Sequence, residues 1–567
     1  MPDVVRPGSA PDHRRGSSHP GGVRDAATTY RLIVGAVAFA LAACAGLLIY
    51  GAGRGADLTD EVFYLIWTRD PEAYALIYQP FGYLLHPLFA LVGGDLRSYR
   101  LAGFAIAAGA GAVLGGSLPV GRRPRGPSAA HGALAALTIF FPWIITPSYN
   151  SAANVGAMLG IAGLLNAMER TPRRGALGVA AMAAGLCLAA FSKPPLFAIA
   201  TGIVLLAILA RRDRVTSVVL VAALALAAVL IALVLPPAQM PGLIARMVTS
   251  QHVLALPNTP LALPAKVARD WLIVPPSLTA AAVAAALSLA LPSPDWSRWL
   301  GFLAVALGLF HVASIVPDAL DGEIPDFIGL ALVTVTAGYA GVMRRHAGLV
   351  PLRTALLLGA PVAVALGTFN NQWAQLNFSI AFPLLALFAL AAADPLRWRR
   401  GIATALAIVA PVALMLLAAV HPYSLPASVF DQQIAIDHPV THSPVLVDSE
   451  TAAFVRAAHG VARGKLVIDL SGTGPGVAAA MRARAPVLAW LNPATATWPD
   501  VVWSRLSGAE RERAWFVGPV WPPFGRSAPA RWLVARRARY CRQTLPETPF
   551  WGTERTLEVW RPCPPGG

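Results

Sequence analysis

Thirteen apolar runs, with arginine clusters in every second gap, leave this chain few folds to choose from. The runs lie near residues 32–52, 101–119, 132–147, 151–168, 175–192, 195–210, 215–236, 275–292, 299–316, 327–343, 351–369, 379–394 and 402–420. An apolar run of about 18 residues or more reads as a membrane-crossing helix, because a helix satisfies its own backbone groups in hydrocarbon. Several runs are short for that task, so their boundaries are good only to several residues. Arg122/Arg123/Arg125, Arg170/Arg173/Arg174, Arg211/Arg212/Arg214, Arg344/Arg345 and Arg397/Arg399/Arg400 follow every second run, and Arg298 fills the remaining gap. By the positive-inside rule these gaps and the N-terminus face the cytoplasm. An odd number of spans then places residues 421–567 outside. The expected fold is an α-helical polytopic membrane protein of about thirteen transmembrane helices, carrying a small extracytoplasmic α/β domain.

Composition agrees. The chain is 56% hydrophobic and 13% charged over 567 residues, against ordinary values of ~45–50% and ~25%. That excludes a soluble enzyme, a disordered chain and a disulfide miniprotein. The net charge of +16 raises nucleic acid as a partner. We reject it, because the basic excess sits in short clusters between apolar runs. Residues 1–30 read as a disordered cytoplasmic tail; the apolar stretch after them is too long for a signal peptide and has no clear cleavage site. Residues 31–420 form the membrane domain, with long outer loops at 53–100 and 237–274, and 421–567 the outer domain. A bacterial cytoplasmic membrane is the expected location.

In the tail, Lys465–Leu470 and Ala485–Leu491 are too short to span and read as strands, with helix-like stretches at Glu450–His459 and Gly474–Ala483. The turn Gly472-Thr-Gly-Pro-Gly476 has the flavour of a phosphate-binding turn, but without the full fingerprint it reads better as an ordinary strand-to-helix turn. Cys44 and Cys187 read as small buried apolar residues. Cys541 and Cys563 lie in the outer tail, where an oxidising compartment would permit a bridge tying down the chain end. No Cys/His spacing suits zinc, and no spacing supports a divalent metal.

The residues that could carry chemistry concentrate in the first outer loop. Asp60 and Glu61 are adjacent acids shortly after the first span, followed by Phe63, Tyr64 and Trp67. An acid facing a cavity could deprotonate a hydroxyl as general base; equally, Thr59 or Asp60 could simply cap a helix. Next come Tyr78-Gln-Pro-Phe-Gly-Tyr-Leu-Leu-His-Pro87, and Gly93-Gly-Asp-Leu-Arg-Ser-Tyr-Arg100 leading into the second span. Such an aromatic loop suggests amphipathic helices lying in the membrane interface.

An Asp-Glu pair after the first span, an aromatic run, a Pro-containing segment and an Arg opening the second span together resemble the GT-C glycosyltransferases. The nearest branch resembles the protein O-mannosyltransferases and the lipid A aminoarabinose transferase. The resemblance covers roughly residues 30–200, and the tail only by layout. It implies transfer of a hexose or pentose from a polyprenyl-phosphate-linked donor to an envelope glycan, lipid or protein, at the outer face of the membrane. It makes Asp60 the base that activates the acceptor hydroxyl, Glu61 a supporting acid, and Arg100 a partner of the lipid phosphate, where its planar fork can donate two parallel hydrogen bonds.

Lys193, in Phe191-Ser-Lys-Pro-Pro195, ends a span. Lysines there often snorkel to headgroups, but Lys is nearly absent from this chain and a Lys-Pro here also resembles the family, which implies a phosphate contact. Tyr149 and Asn150, in the short loop Pro147–Ser151, either bind sugar hydroxyls or make the turn. Some relatives place an acid at this loop, and the neutral Asn150 weakens a two-acid or metal-bound mechanism. Tyr64, Gln79 and His86 are further substrate-binding candidates, the last two because some relatives carry a His-Pro-Pro or Lys-Pro-Pro segment in this loop. Gln251-His252, Lys266 and Arg269 fall in the second long loop, which could cover the site. Asp318, Asp321, Glu323 and Asp326 make an acidic outer loop. Trp373 and Asn370/Asn371 read as an interface anchor and a turn. Two other readings remain open: a transporter or flippase of lipid-linked sugars, which would more often show related halves, and an envelope-glycan polymerase.

Overall fold

The computed structural model describes residues 20–77, 79–118, 125–169, 171–210, 213–254, 262–321, 326–347, 352–368, 370–472, 474–490, 498–519, 527–548 and 556–564. Most of the N-terminal tail, Arg122, Arg123, Arg170, Arg211, Arg212, Glu323, Thr473 and Leu491 fall outside the described residues.

Every one of the thirteen apolar runs carries a helix. Six helices are long and apolar enough to cross a membrane: Thr28–Gly51, Leu96–Ser117, Pro172–Ser192, Arg214–Val234, Pro294–Ala319 and Arg397–Val420. A seventh arises if Leu263–Trp271 and Pro276–Ala290, bent 119° at their junction, count as one broken span. Of the other helices, several are shorter than a bilayer core demands, such as Leu352–Ala365 and Ala381–Ala393, and prolines explain some of this. The run at 132–147 is α-helical only to Leu137, with one further turn to Phe140. Pro142 and Pro147 then leave no N–H to continue the ladder.

Much of the apolar surface faces outward. Phe39, Leu209, Leu233 and Trp299 are 71–81% exposed, and only 17% of the apolar stretch in Arg214–Val234 is buried. A soluble monomer rarely exposes contiguous apolar area on this scale; lipid is the solvent that suits it. Close helix contacts use small residues. Gly111 and Gly115 lie so near Gly132 and Ser128 that a methyl group at either would run into a backbone carbonyl, as small-residue interfaces between membrane helices require.

The tail carries two sheets. Strands β1 (Ile434–Asp437) and β2 (Pro444–Val447) pair as an antiparallel hairpin. Strands β3 (Val467–Asp469), β4 (Trp515–Pro519), β5 (Tyr540–Glu547) and β6 (Thr556–Pro562) form one sheet in the order β3-β4-β6-β5, with β3 and β4 parallel. Lys465–Leu470 thus supplies a strand and Glu450–His459 a helix. The run from Ala485 is not a strand: beyond one isolated bridge at Arg484 it is irregular, and Pro486 cannot donate to a ladder. Cys541 and Cys563 are joined as a disulfide beside the β5–β6 pairing, whereas Cys44 and Cys187 are free and buried.

The tail does not pack as a body separate from the first long loop. Val62, Leu65, Leu96 and Tyr99 share one apolar core with Val440, Val445, Phe454, Val517 and Val559. Leu446 brackets the loop, donating to Gly53 O at 3.0 Å and accepting from Gly55 N at 2.8 Å. Of the loop helices Asp60–Arg69 and Phe81–Leu91, the second is amphipathic, burying Phe81, Leu85 and Phe89 and exposing His86 and Leu91, whereas the first does not lie on a surface. The first is buried around almost its whole girth: Phe63, Tyr64 and Trp67 join an aromatic cluster, while Val62 and Leu65 join the tail core.

Candidate functional site

The segment Asp57-Leu-Thr-Asp-Glu61 opens the helix Asp60–Arg69, and its three carboxylates have three different jobs. Thr59 stands at the cap position without a side-chain cap bond. Asp57 serves instead, accepting from Thr59 N (2.8 Å), Thr59 Oγ1 (2.5 Å) and Glu61 N (3.2 Å). A carboxylate at a helix start satisfies N–H groups that the helix cannot, which frees Asp60 from capping. Asp57 was not singled out in the sequence, although its place three residues before Asp60 was there to be read.

Glu61 is buried, and its partner is Arg100. Arg100 Nη2 lies 2.6 and 2.8 Å from the two Glu61 oxygens, and Nε lies 3.1 Å from Oε1. The guanidinium also donates to Ala52 O (3.0 Å), Arg54 O (2.9 Å) and Gly55 O (2.9 Å), while Nε approaches Thr146 Oγ1 at 3.1 Å. A guanidinium has five N–H donors, and here all are engaged. Arg100 thus ties the end of the first long helix, the loop and the second helix together. The lipid-phosphate role implied by the resemblance finds no free donor on it. Burial disfavours the Glu61 charge, but Arg100, His438 and the Thr146 hydroxyl outweigh it and hold its pKa below the usual carboxylate range. His438, from the tail, is fully buried, and its Nδ1 accepts from Val440 N and Thr441 N, so its proton sits on Nε2. Nothing in the sequence singled out His438.

Asp60 points the other way. It is half-buried, and its carboxylate accepts from the Tyr64 hydroxyl at 3.3 Å and from that of Tyr423. Burial pushes its pKa up to about 6, even though both hydroxyls pull it down. Burial, and then the nearby Asp60 charge, raises Asp57 as well. Tyr423 comes from the start of the tail and was also missed.

Behind Asp60 lies an aromatic cluster. Tyr64 and Phe81 meet the Tyr149 ring at 5.6 and 5.7 Å, and Phe63 packs on Trp490 at 6.0 Å. Lys193 Nζ lies 5.4 Å from the Tyr149 centroid. Lys193 does not snorkel: it is 1% exposed and donates to Val364 O at 2.8 Å. Asn150 caps nothing with its side-chain oxygen, which is buried without a hydrogen-bond partner, as is Oε1 of Gln79. Such an atom ordinarily costs about 1–3 kcal/mol, and each would gain from a donor within reach. The structure therefore gathers Asp60, Tyr64, Tyr149, Asn150 and Lys193, with Glu61 and Arg100 as the wall beneath. His86 is apart from them, exposed on the helix Phe81–Leu91 with Nδ1 on Thr68 O at 2.9 Å.

The second long loop does reach this region. Its helix Met240–Val253 packs Leu243 onto the aromatic cluster, and Ser250 Oγ accepts from Ile77 N at 2.8 Å. Lys266 pairs with Asp270 at 2.5 Å and donates to Asn370 O at 2.8 Å. Trp373 is half-buried and packs edge-on to Trp271 at 4.5 Å. Among the described residues no group of three or more His, Cys, Asp or Glu side chains is arranged to hold a metal ion. No protein-family model matches the chain, and no curated protein matches it.

Proposed function

We propose that the protein is a membrane glycosyltransferase of GT-C type with about thirteen spans. It moves a sugar from a polyprenyl-phosphate donor to an envelope glycan, lipid or protein at the outer face of the bacterial cytoplasmic membrane. The observation that carries this reading is the half-buried Asp60, whose carboxylate takes the Tyr64 and Tyr423 hydroxyls at the edge of an aromatic cluster, with the buried Lys193 near Tyr149.

In this reading Asp60 takes the proton of the acceptor hydroxyl as its oxygen attacks the anomeric carbon. The bond from that carbon to the donor phosphate breaks, and the lipid phosphate leaves with the electron pair. A base works best with a pKa near the operating pH, and a value of about 6 leaves Asp60 ionised at neutral pH while still basic. Lys193 suits the developing phosphate charge: its one protein acceptor leaves donors over, and positive charge placed where negative charge develops lowers the barrier. Tyr149, Asn150 and Gln79 suit sugar hydroxyls. Glu61 and Arg100 hold the frame and touch no reactant.

The test compares envelope glycans and glycolipids by mass spectrometry in a deletion strain and in the same strain carrying the wild-type gene. The reading expects one sugar substituent to vanish on deletion and return with the gene, while its lipid-linked donor accumulates. An unchanged glycan profile, or donor trapped on the cytoplasmic side, would overturn it and bring transport forward.

A further inference from the structure

A cleft of about 350 Å³ opens beside the C-terminal end of the helix Asp60–Arg69, between it and the tail. The cleft runs along the C-terminal half of that helix, from Ile66 to Arg69, and its other wall includes Pro475, whose neighbours Gly474 and Gly476 pack on Thr59 and Leu58. Its size falls within the ~300–1,000 Å³ usual for small-molecule sites. Small residues make the room: Ala73, Ala478, Ala479 and Ala483 line it.

Its charged lining is basic. Arg69, His442 and Arg482 contribute, against the single acid Asp70. Asp70 accepts from Glu72 N and forms no ion pair with the arginines. Arg69 gives one N–H to Val440 O at 2.9 Å. The half-buried Arg482 guanidinium has no hydrogen bond or ion pair to any described residue, although its backbone N–H and C=O are both bonded. Arg69, His442 and Arg482 line the same cleft, and burial and then the charges of Arg482 and Arg69 disfavour protonation of His442. Two guanidinium groups in one cleft, one without a side-chain partner among the described residues, suit a phosphate, whose several oxygens can each accept hydrogen bonds from a planar guanidinium fork.

We propose that this cleft binds a phosphate group through Arg69 and Arg482, presented by a lipid headgroup or by a soluble phosphorylated glycan. The assignment goes beyond the transferase reading and is tested without turnover, so either can fail alone.

The test is arginine modification by phenylglyoxal on the full chain in nanodiscs, read at each residue by peptide mass spectrometry. One arm uses phosphatidylcholine discs with inorganic phosphate, matched in ionic strength by chloride; the other uses phosphatidylglycerol discs without phosphate. With a phosphate group at four times its Kd, modification of Arg482 should slow about fivefold by mass action, while the exposed Arg463 reacts unchanged. Protection by inorganic phosphate supports the proposal and names a soluble source; protection only in phosphatidylglycerol discs supports it and names a headgroup. In Arg69→Gln the protection of Arg482 should shrink. No slowing in either arm relative to phosphatidylcholine discs in chloride, or equal protection by chloride, would overturn it.

Discussion

The two sides of the helix start at residues 57–61 differ sharply. On one, Glu61 and Arg100 are sealed, with every guanidinium N–H engaged and both carboxylate oxygens bonded. On the other, Asp60 is partly exposed, Lys193 has donors to spare, and the Asn150 and Gln79 oxygens have no partner. A satisfied buried network is stiff; an unsatisfied one is ready for a ligand. Adjacent acids on a helix point about 100° apart, so one turn of chain supplies both a scaffold and a working group.

The most damaging way to break that contrast is Arg100→Met. It strands Glu61 in the interior and releases three carbonyls, and breaking one partner of a buried pair costs about 3–5 kcal/mol. We expect little folded protein, read as the monodisperse fraction in mild detergent; normal yield would show that the sealed side is not the scaffold. A gentler change sharpens the other side. Tyr423→Phe removes a hydroxyl that donates to the ionised Asp60 carboxylate, so the Asp60 pKa should rise. A base works ionised, so activity falls as pH drops through that pKa. The acid limb, near pH 6 in the wild type, should therefore move to higher pH with the alkaline side unchanged. An unmoved limb would mean that another group sets it. The smallest effect is expected at His86→Ala, which is exposed and away from both sides. Stability should stay within about 0.5 kcal/mol, and glycan transfer should be unaltered in the same complementation assay.

What the sequence could tell follows the range of the forces involved. The helices were legible from apolar runs because the surroundings, rather than a distant partner, dictate them. Asp60 and Glu61 were legible as a pair, with different roles implied by the resemblance, but the sealing of Glu61 was not, because it depends on Arg100 and Thr146, 39 and 85 residues onward. The docking of the tail was hidden for the same reason. Gly476 donates to Leu58 O at 2.8 Å, and a side chain there would collide with Leu58. The turn at 472–476 is thus where the tail meets the site loop, a contact that no local pattern encodes. His438 comes to the site from the tail, and Tyr423 from just beyond the last membrane helix, where its N–H donates to Pro142 O at 3.0 Å.

The central claim is that Asp60 does chemistry while Glu61 and Arg100 hold the frame. The most direct measurement is the envelope glycan profile of the deletion strain carrying Asp60→Asn at wild-type membrane abundance. Loss of a positioned base costs about 10²–10⁴-fold in rate, so we predict a folded protein that fails to restore the sugar. Full restoration by Asp60→Asn would contradict the account.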